Sequence, residues 1–158
     1  MPKTLLSLFA SALCFASYAA ADPQGTEAEL DAFWDAISRS AREGDFEAMK
    51  SAYHADAVIV NGIRESSSPI AKAFERWEQG LNDTRDGKME ANVEFRITER
   101  LFDETTAHDT GIFHYTAKPA GGEWSHDYIL FEALMVKRDG EWLMVMEYQK
   151  ARVSEEDW

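Results

Sequence analysis

Cysteine is nearly absent from this chain, with one, Cys14, among 158 residues. A lone thiol excludes an intramolecular disulfide framework and a cysteine-rich zinc site. Basic residues are scarce as well: 16 Lys+Arg face 29 Asp+Glu, a formal net charge of −13. A surface that acidic repels phosphate backbones and anionic lipid, which argues against nucleic acid and membrane as partners. Neither a Gly-x-Ser-x-Gly elbow nor a glycine-rich phosphate loop occurs, so serine-hydrolase and nucleotide chemistry fall away and no cofactor is implied. His108 and His114 share strand parity six residues apart with no fixed third ligand, so no metal site is expected. Repeats, low-complexity tracts and linkers are lacking too, which leaves one domain. With 45% hydrophobic and 28% charged residues, that domain is globular rather than disordered.

The first twenty-one residues read as an address. Lys3 precedes an apolar run from Leu5 to Ala16, and Ala19-Ala20-Ala21 offers small residues at the positions a signal peptidase reads. The run is too short for a membrane span, and Leu13 before Cys14 does not suit lipoprotein processing. The expected organisation is a signal peptide over 1–21 and one domain over 22–158, with export to the periplasm or the medium. Cleavage after Ala21 would take 21 of the 158 residues, including one Lys, no acid and Cys14. The remaining 137 residues would carry −14 and no thiol.

Three helices come first. Thr26-Glu27-Ala28-Glu29 has the pattern of a capping box, Leu30, Phe33, Trp34, Ile37 and Ala41 follow at helical spacing, and Gly44 stops the run. Asp45 caps a shorter helix with Phe46, Met49 and Tyr53 on its inner face. After a strand at Val58-Ile59-Val60, Ser66-Ser67-Ser68-Pro69 opens a third helix whose stripe is Ile70, Ala73, Phe74, Trp77 and Leu81.

The period then changes to two. Met89, Ala91, Val93, Phe95, Ile97 and Leu101 form the buried set of a long strand, with Arg100 among its exposed set. Further strands are expected at about 106–117, 124–137 and 141–151, separated by turn residues, as an antiparallel meander. The segments 129–136 and 143–146 are apolar on both faces, and a second cover on the outer face predicts a homodimer through the sheet.

This order resembles the nuclear transport factor 2-like superfamily, in particular its SnoaL-like members related to ketosteroid isomerase. The residues that carry the resemblance are Gly44-Asp45-Phe46-Glu47-Ala48-Met49, Tyr53-His54-Ala55-Asp56-Ala57-Val58, and Val136 to Trp142 followed by Glu147 and Tyr148. The resemblance implies an α+β cone, a strongly bent antiparallel sheet wrapped around three N-terminal helices with an apolar pocket at its open end. In ketosteroid isomerase-like members the segment matching Asp56 to Asn61 ends in a proton-moving aspartate. Asn61 stands there in this chain, and an amide is no carboxylate base.

Two acids sit in apolar company, Glu132 and Glu147, where burial would raise a carboxyl's pKa. Their relation depends on the Asp139-Gly140 turn. A two-residue turn would set Glu132 opposite Glu147 as a dyad, whereas a bulge at Gly140 would send them to opposite faces. The bulge is the preferred reading. His114 is the histidine favoured for the pocket, although an outward position paired with Asp127 is weighed ahead of it. Tyr53, Asn61, Trp77, Tyr128 and Tyr148 are the candidate ligand contacts, with a plain-core role weighed ahead of ligand contact for Trp77. The terminal segment from Ser154 to Trp158 reads as a solvated tail. The leading expectation is an exported binder of a small apolar molecule. The alternative is an acid–base enzyme, an isomerase, dehydratase or hydrolase, using Glu147, Glu132 and His114.

Overall fold

The computed structural model describes residues 22–158, so the signal-peptide reading lies outside the described residues. Helix α1 spans Pro23–Glu43, α2 Phe46–Ser51 and α3 Ile70–Arg85. Strand β1 spans Tyr53–Asn61, β2 Ser66–Pro69, β3 Met89–Phe102, β4 Thr106–Pro119, β5 Ser125–Arg138 and β6 Glu141–Arg152. The α+β cone is present: one six-stranded sheet in the order β2-β1-β6-β5-β4-β3 bends around the helices. From β3 to β6 it is an antiparallel meander, while β1 joins β6 in parallel and makes the sheet mixed.

Local signals explain the helices, with three departures. Gly44 ends α1 in the left-handed region at φ 69°, where a Cβ would stand 2.3 Å from the backbone of Leu81 and Arg85. Asp45 caps α2 by accepting from the Ala48 N–H at 2.9 Å. The expected capping box at Thr26 and Glu29 does not form, because α1 already starts at Pro23 after Asp22. Glu29 instead reaches across to the sheet and accepts from the Trp142 indole at 3.0 Å and from Lys137. Ser66 to Pro69, read as a helix opening, pairs with β1 as an edge strand, and α3 begins after Pro69. Tyr53 is the first residue of β1, not the end of α2.

Bulges decide the faces of the long strands. In β3 the register slips between Ile97 and Glu99, and beyond that point the buried parity is reversed. Leu101, expected inside, is 61% exposed. Arg100, expected outside, turns inward to Asp109, which is fully buried. The Trp34 indole also donates to Asp109, at 2.7 Å, so helix and sheet are joined by a buried charge with three hydrogen bonds. Around this network Trp34, Phe95 and Phe131 pack edge-on or tilted within 5.7 Å of one another.

Candidate functional site

The cavity of the cone has a volume of about 460 Å³ and lies between α1, α3 and the inner face of the sheet. Its apolar walls come from Ile37 and Ala41 of α1, Trp77 and Leu81 of α3, and Val93 and Phe95 of β3. The period-two pattern of β3 put those last two on the inner face, and the helical stripes supplied the rest. Exposed side chains mark the mouth: Ile63, Arg64, Arg76 and Arg152. Arg152 pairs there with Asp127.

One wall is polar. Glu147 faces the cavity from β6, and its two carboxyl oxygens accept from the Tyr53 hydroxyl and from Gln149 Nε2, each at 2.8 Å. An acceptor-only carboxylate fixes the Gln149 amide with nitrogen toward Glu147 and oxygen outward. That oxygen accepts from Asn61 Nδ2 at 2.8 Å, and Asn61 Oδ1 accepts from the Arg64 backbone N–H at 2.8 Å. A continuous chain of donors and acceptors thus runs from Tyr53 through Glu147, Gln149 and Asn61 to the turn at Arg64.

Glu147 retains some accessible surface because the cavity reaches it, but protein surrounds it, and burial raises its pKa against the opposing effect of the Gln149 and Tyr53 hydrogen bonds. Burial, reinforced by the negative charge of Glu147, pushes the Tyr53 phenol well above its usual value. The arrangement is a carboxylate whose proton affinity is raised by burial, beside a phenol that stays protonated. Chemically it can accept a proton from a bound molecule, return it, or hydrogen-bond a ligand's polar edge.

The sequence reading of the two acids is resolved by the β5–β6 register. The Asp139-Gly140 turn is a tight two-residue one, with φ 53° and 87°, and Arg138 pairs with Glu141, so the favoured bulge at Gly140 is absent. A bulge does occur farther along, between the Leu134–Met146 and Met135–Met144 pairs. It places Glu147 opposite Ala133 and Glu132 opposite Tyr148. The acids therefore face opposite sides of the sheet, and no dyad exists. On the outer face Glu132 accepts from Lys150 at 2.5 Å, with His108 at 3.6 Å, and the Lys150 hydrogen bond lowers its pKa.

His114 does not face the cavity. It stacks on Tyr128 with ring centroids 4.1 Å apart, and its Nε2 lies 3.0 Å from Nδ1 of His126. Strand parity is the reason, since Phe113 and Tyr115 hold the inward positions around it. Its cross-strand neighbour is Tyr128 rather than Asp127, and burial followed by the neighbouring His126 lowers its pKa. Tyr128 and Tyr148 are on the outer face for the same reason, whereas Tyr53, Asn61 and Trp77 line the cavity. Trp158, expected in a solvated tail, approaches His114 and Tyr128 beyond a short 3-10 turn over Glu155–Asp157. Among the described residues no group of three or more His, Cys, Asp or Glu is placed to hold a metal ion.

Gln149, Arg64 and Arg76 were missed in the sequence. Gln149 carried a usable signal, two residues beyond Glu147 on the same strand face. The arginines carried none, because a turn and an exposed helix position bring them to the mouth.

A bent sheet closed over three helices, with a cavity at its open end, defines the nuclear transport factor 2-like class. The SnoaL-like domain model matches residues 30–148, and the chain belongs to that family. Among solved structures it is similar to a conserved protein from Planctomyces limnophilus, at 16% identity and TM-score 0.68, covering 79% of this chain and 94% of that one. A ketosteroid isomerase-like protein from Erwinia carotovora atroseptica aligns at 17% identity and TM-score 0.58, over 82% and 94%. A nuclear transport factor 2-like superfamily protein from Salmonella enterica aligns at 11% identity and TM-score 0.63, over 85% and 96%. At these identities the likeness is one of fold alone. No curated protein matches the chain.

Proposed function

We propose that this chain is an exported protein that binds a small, mostly apolar molecule in the cone, with Glu147 as the principal polar contact. The observation that carries the reading is the 460 Å³ cavity, whose apolar walls meet a hydrogen-bonded polar strip on one side only. That volume falls in the range of roughly 300–1,000 Å³ usual for small-molecule sites. Export rests on the signal pattern of residues 1–21. A thermal-shift screen of the mature chain against apolar alcohols, aromatic hydrocarbons and steroids tests the reading. Hits are expected to perturb the indole NMR signals of Trp34 and Trp77. A screen with no saturable hit would overturn it.

A second reading, single-base proton transfer, is favoured by the raised pKa of Glu147 beside Tyr53. An isomerase or dehydratase of this design uses one carboxyl both to remove and to return a proton. With a hit that is turned over, Glu147→Gln is expected to reduce kcat by about 10²–10⁴-fold. Turnover that survives the substitution would remove Glu147 as the base, and a screen whose hits bind without being turned over would leave binding as the function.

We also propose a homodimer, which the apolar outer face of the sheet supports. Leu130, Leu134 and Met146 share that face, and Leu134 is 39% exposed.

A further inference from the structure

We propose that the ligand is an amphipathic acid, its anionic group held at the mouth by Arg64 and Arg76 and its apolar body directed into the cone. This rests on the apolar-cavity reading above and names the class of molecule. Arg64 comes from the turn between β1 and β2, and Arg76 from the exposed side of α3, one residue before the cavity-lining Trp77. The two side chains line the cavity and also an adjoining cleft of about 450 Å³ that shares Asn61, Trp77 and Gln149.

Charge makes this pairing informative. In a chain of net charge −13, two cations converge on one opening, and among the described residues neither forms an ion pair or a side-chain hydrogen bond. Arg152 at the same mouth is different, since Asp127 already neutralises it. Two unneutralised guanidinium groups lining the same opening make it attractive to an anion, and a carboxylate matches the planar donor fork of each. A deeper anion is disfavoured, because Glu147 already occupies the polar wall and the remaining walls are apolar. The position of the charge on the ligand is therefore set at the rim.

Two matched pairs of probes test this: 4-phenylbutyrate against 4-phenylbutanol, and octanoate against octanol, titrated calorimetrically into the mature chain. Each acid is expected to bind about tenfold more tightly than its alcohol, with the preference shrinking as salt is raised. In the double variant Arg64→Gln/Arg76→Gln, whose positions are exposed and whose fold is checked by circular dichroism, acid and alcohol are expected to bind equally. Equal binding in the wild type, or a preference that survives the double substitution, would overturn the proposal while leaving the apolar-cavity reading intact. Absence of binding by both alcohols and acids would overturn both.

Discussion

The hydroxyl of Tyr53 donates to the carboxylate of Glu147 at 2.8 Å, across 94 positions of sequence. Tyr53 opens β1 and Glu147 lies in β6, two strands paired in parallel, so the contact depends on the crossover that makes the sheet mixed. That hydrogen bond favours the charged form of Glu147, against the burial that disfavours it. Tyr53→Phe is accordingly expected to raise the Glu147 pKa further, read from the side-chain carboxyl ¹³C shift during an NMR titration. An unchanged midpoint would mean that the phenol does not act on the carboxyl.

Linkage gives the sign of the pH dependence. Glu147 titrates higher in the folded chain than in the unfolded one, so between those two values the folded state holds the extra proton. Stability contributed by Glu147 is therefore fully present below the ordinary glutamate range and lost as pH rises through the folded value. Relative to Glu147→Gln, the wild type is expected to gain stability as pH falls through that window, measured by urea unfolding at a series of pH values. A constant difference between the two proteins would count against a buried, perturbed Glu147.

Outer-face residues supply the controls. Glu132→Gln and His114→Ala each remove a titratable group without touching the cavity wall. Ligand affinity in both variants is expected to stay within about twofold of wild type, a change of only ~0.4 kcal/mol. A tenfold loss in either would return that residue to the site.

The buried ion pair predicts a stability effect separate from function. Arg100→Met leaves the fully buried Asp109 with the Trp34 indole as its remaining side-chain donor. Removing one partner of such a pair costs about 3–5 kcal/mol, a loss that chemical denaturation resolves. Gly111→Ala is expected to be destabilising as well, because the new Cβ would lie 2.2 Å from the Arg96 carbonyl oxygen on the adjoining strand. A near-neutral result at either position would contradict the strand register around the β3 bulge.

For the proposed dimer, Leu134→Lys places a charge on the outer apolar face. The wild type is expected to scatter light as a dimer at micromolar concentration and the variant as a monomer. A monomeric wild type would remove the dimer from the proposal.

Periodicity identified the helical stripe from Leu30 to Ala41 and the buried set from Met89 to Ile97, because each depends on burial repeating at 3.6 or 2 residues, and the turn residues between apolar segments completed the four-strand meander. It also singled out Glu132 and Glu147 as acids in apolar company. Which of them faces the cavity was beyond it. A bulge in β6 moves Glu147 to the inner face, and another in β3 exchanges Leu101 for Arg100, by inserting one residue into a ladder whose side chains alternate. The composition reported an acidic chain, but only tertiary structure brought Arg64 and Arg76 to one opening and joined Tyr53, Asn61, Glu147 and Gln149 in one network. Local sequence sets the period of burial along each strand. Strand pairing between distant segments sets its phase, and the phase decides which side chains meet.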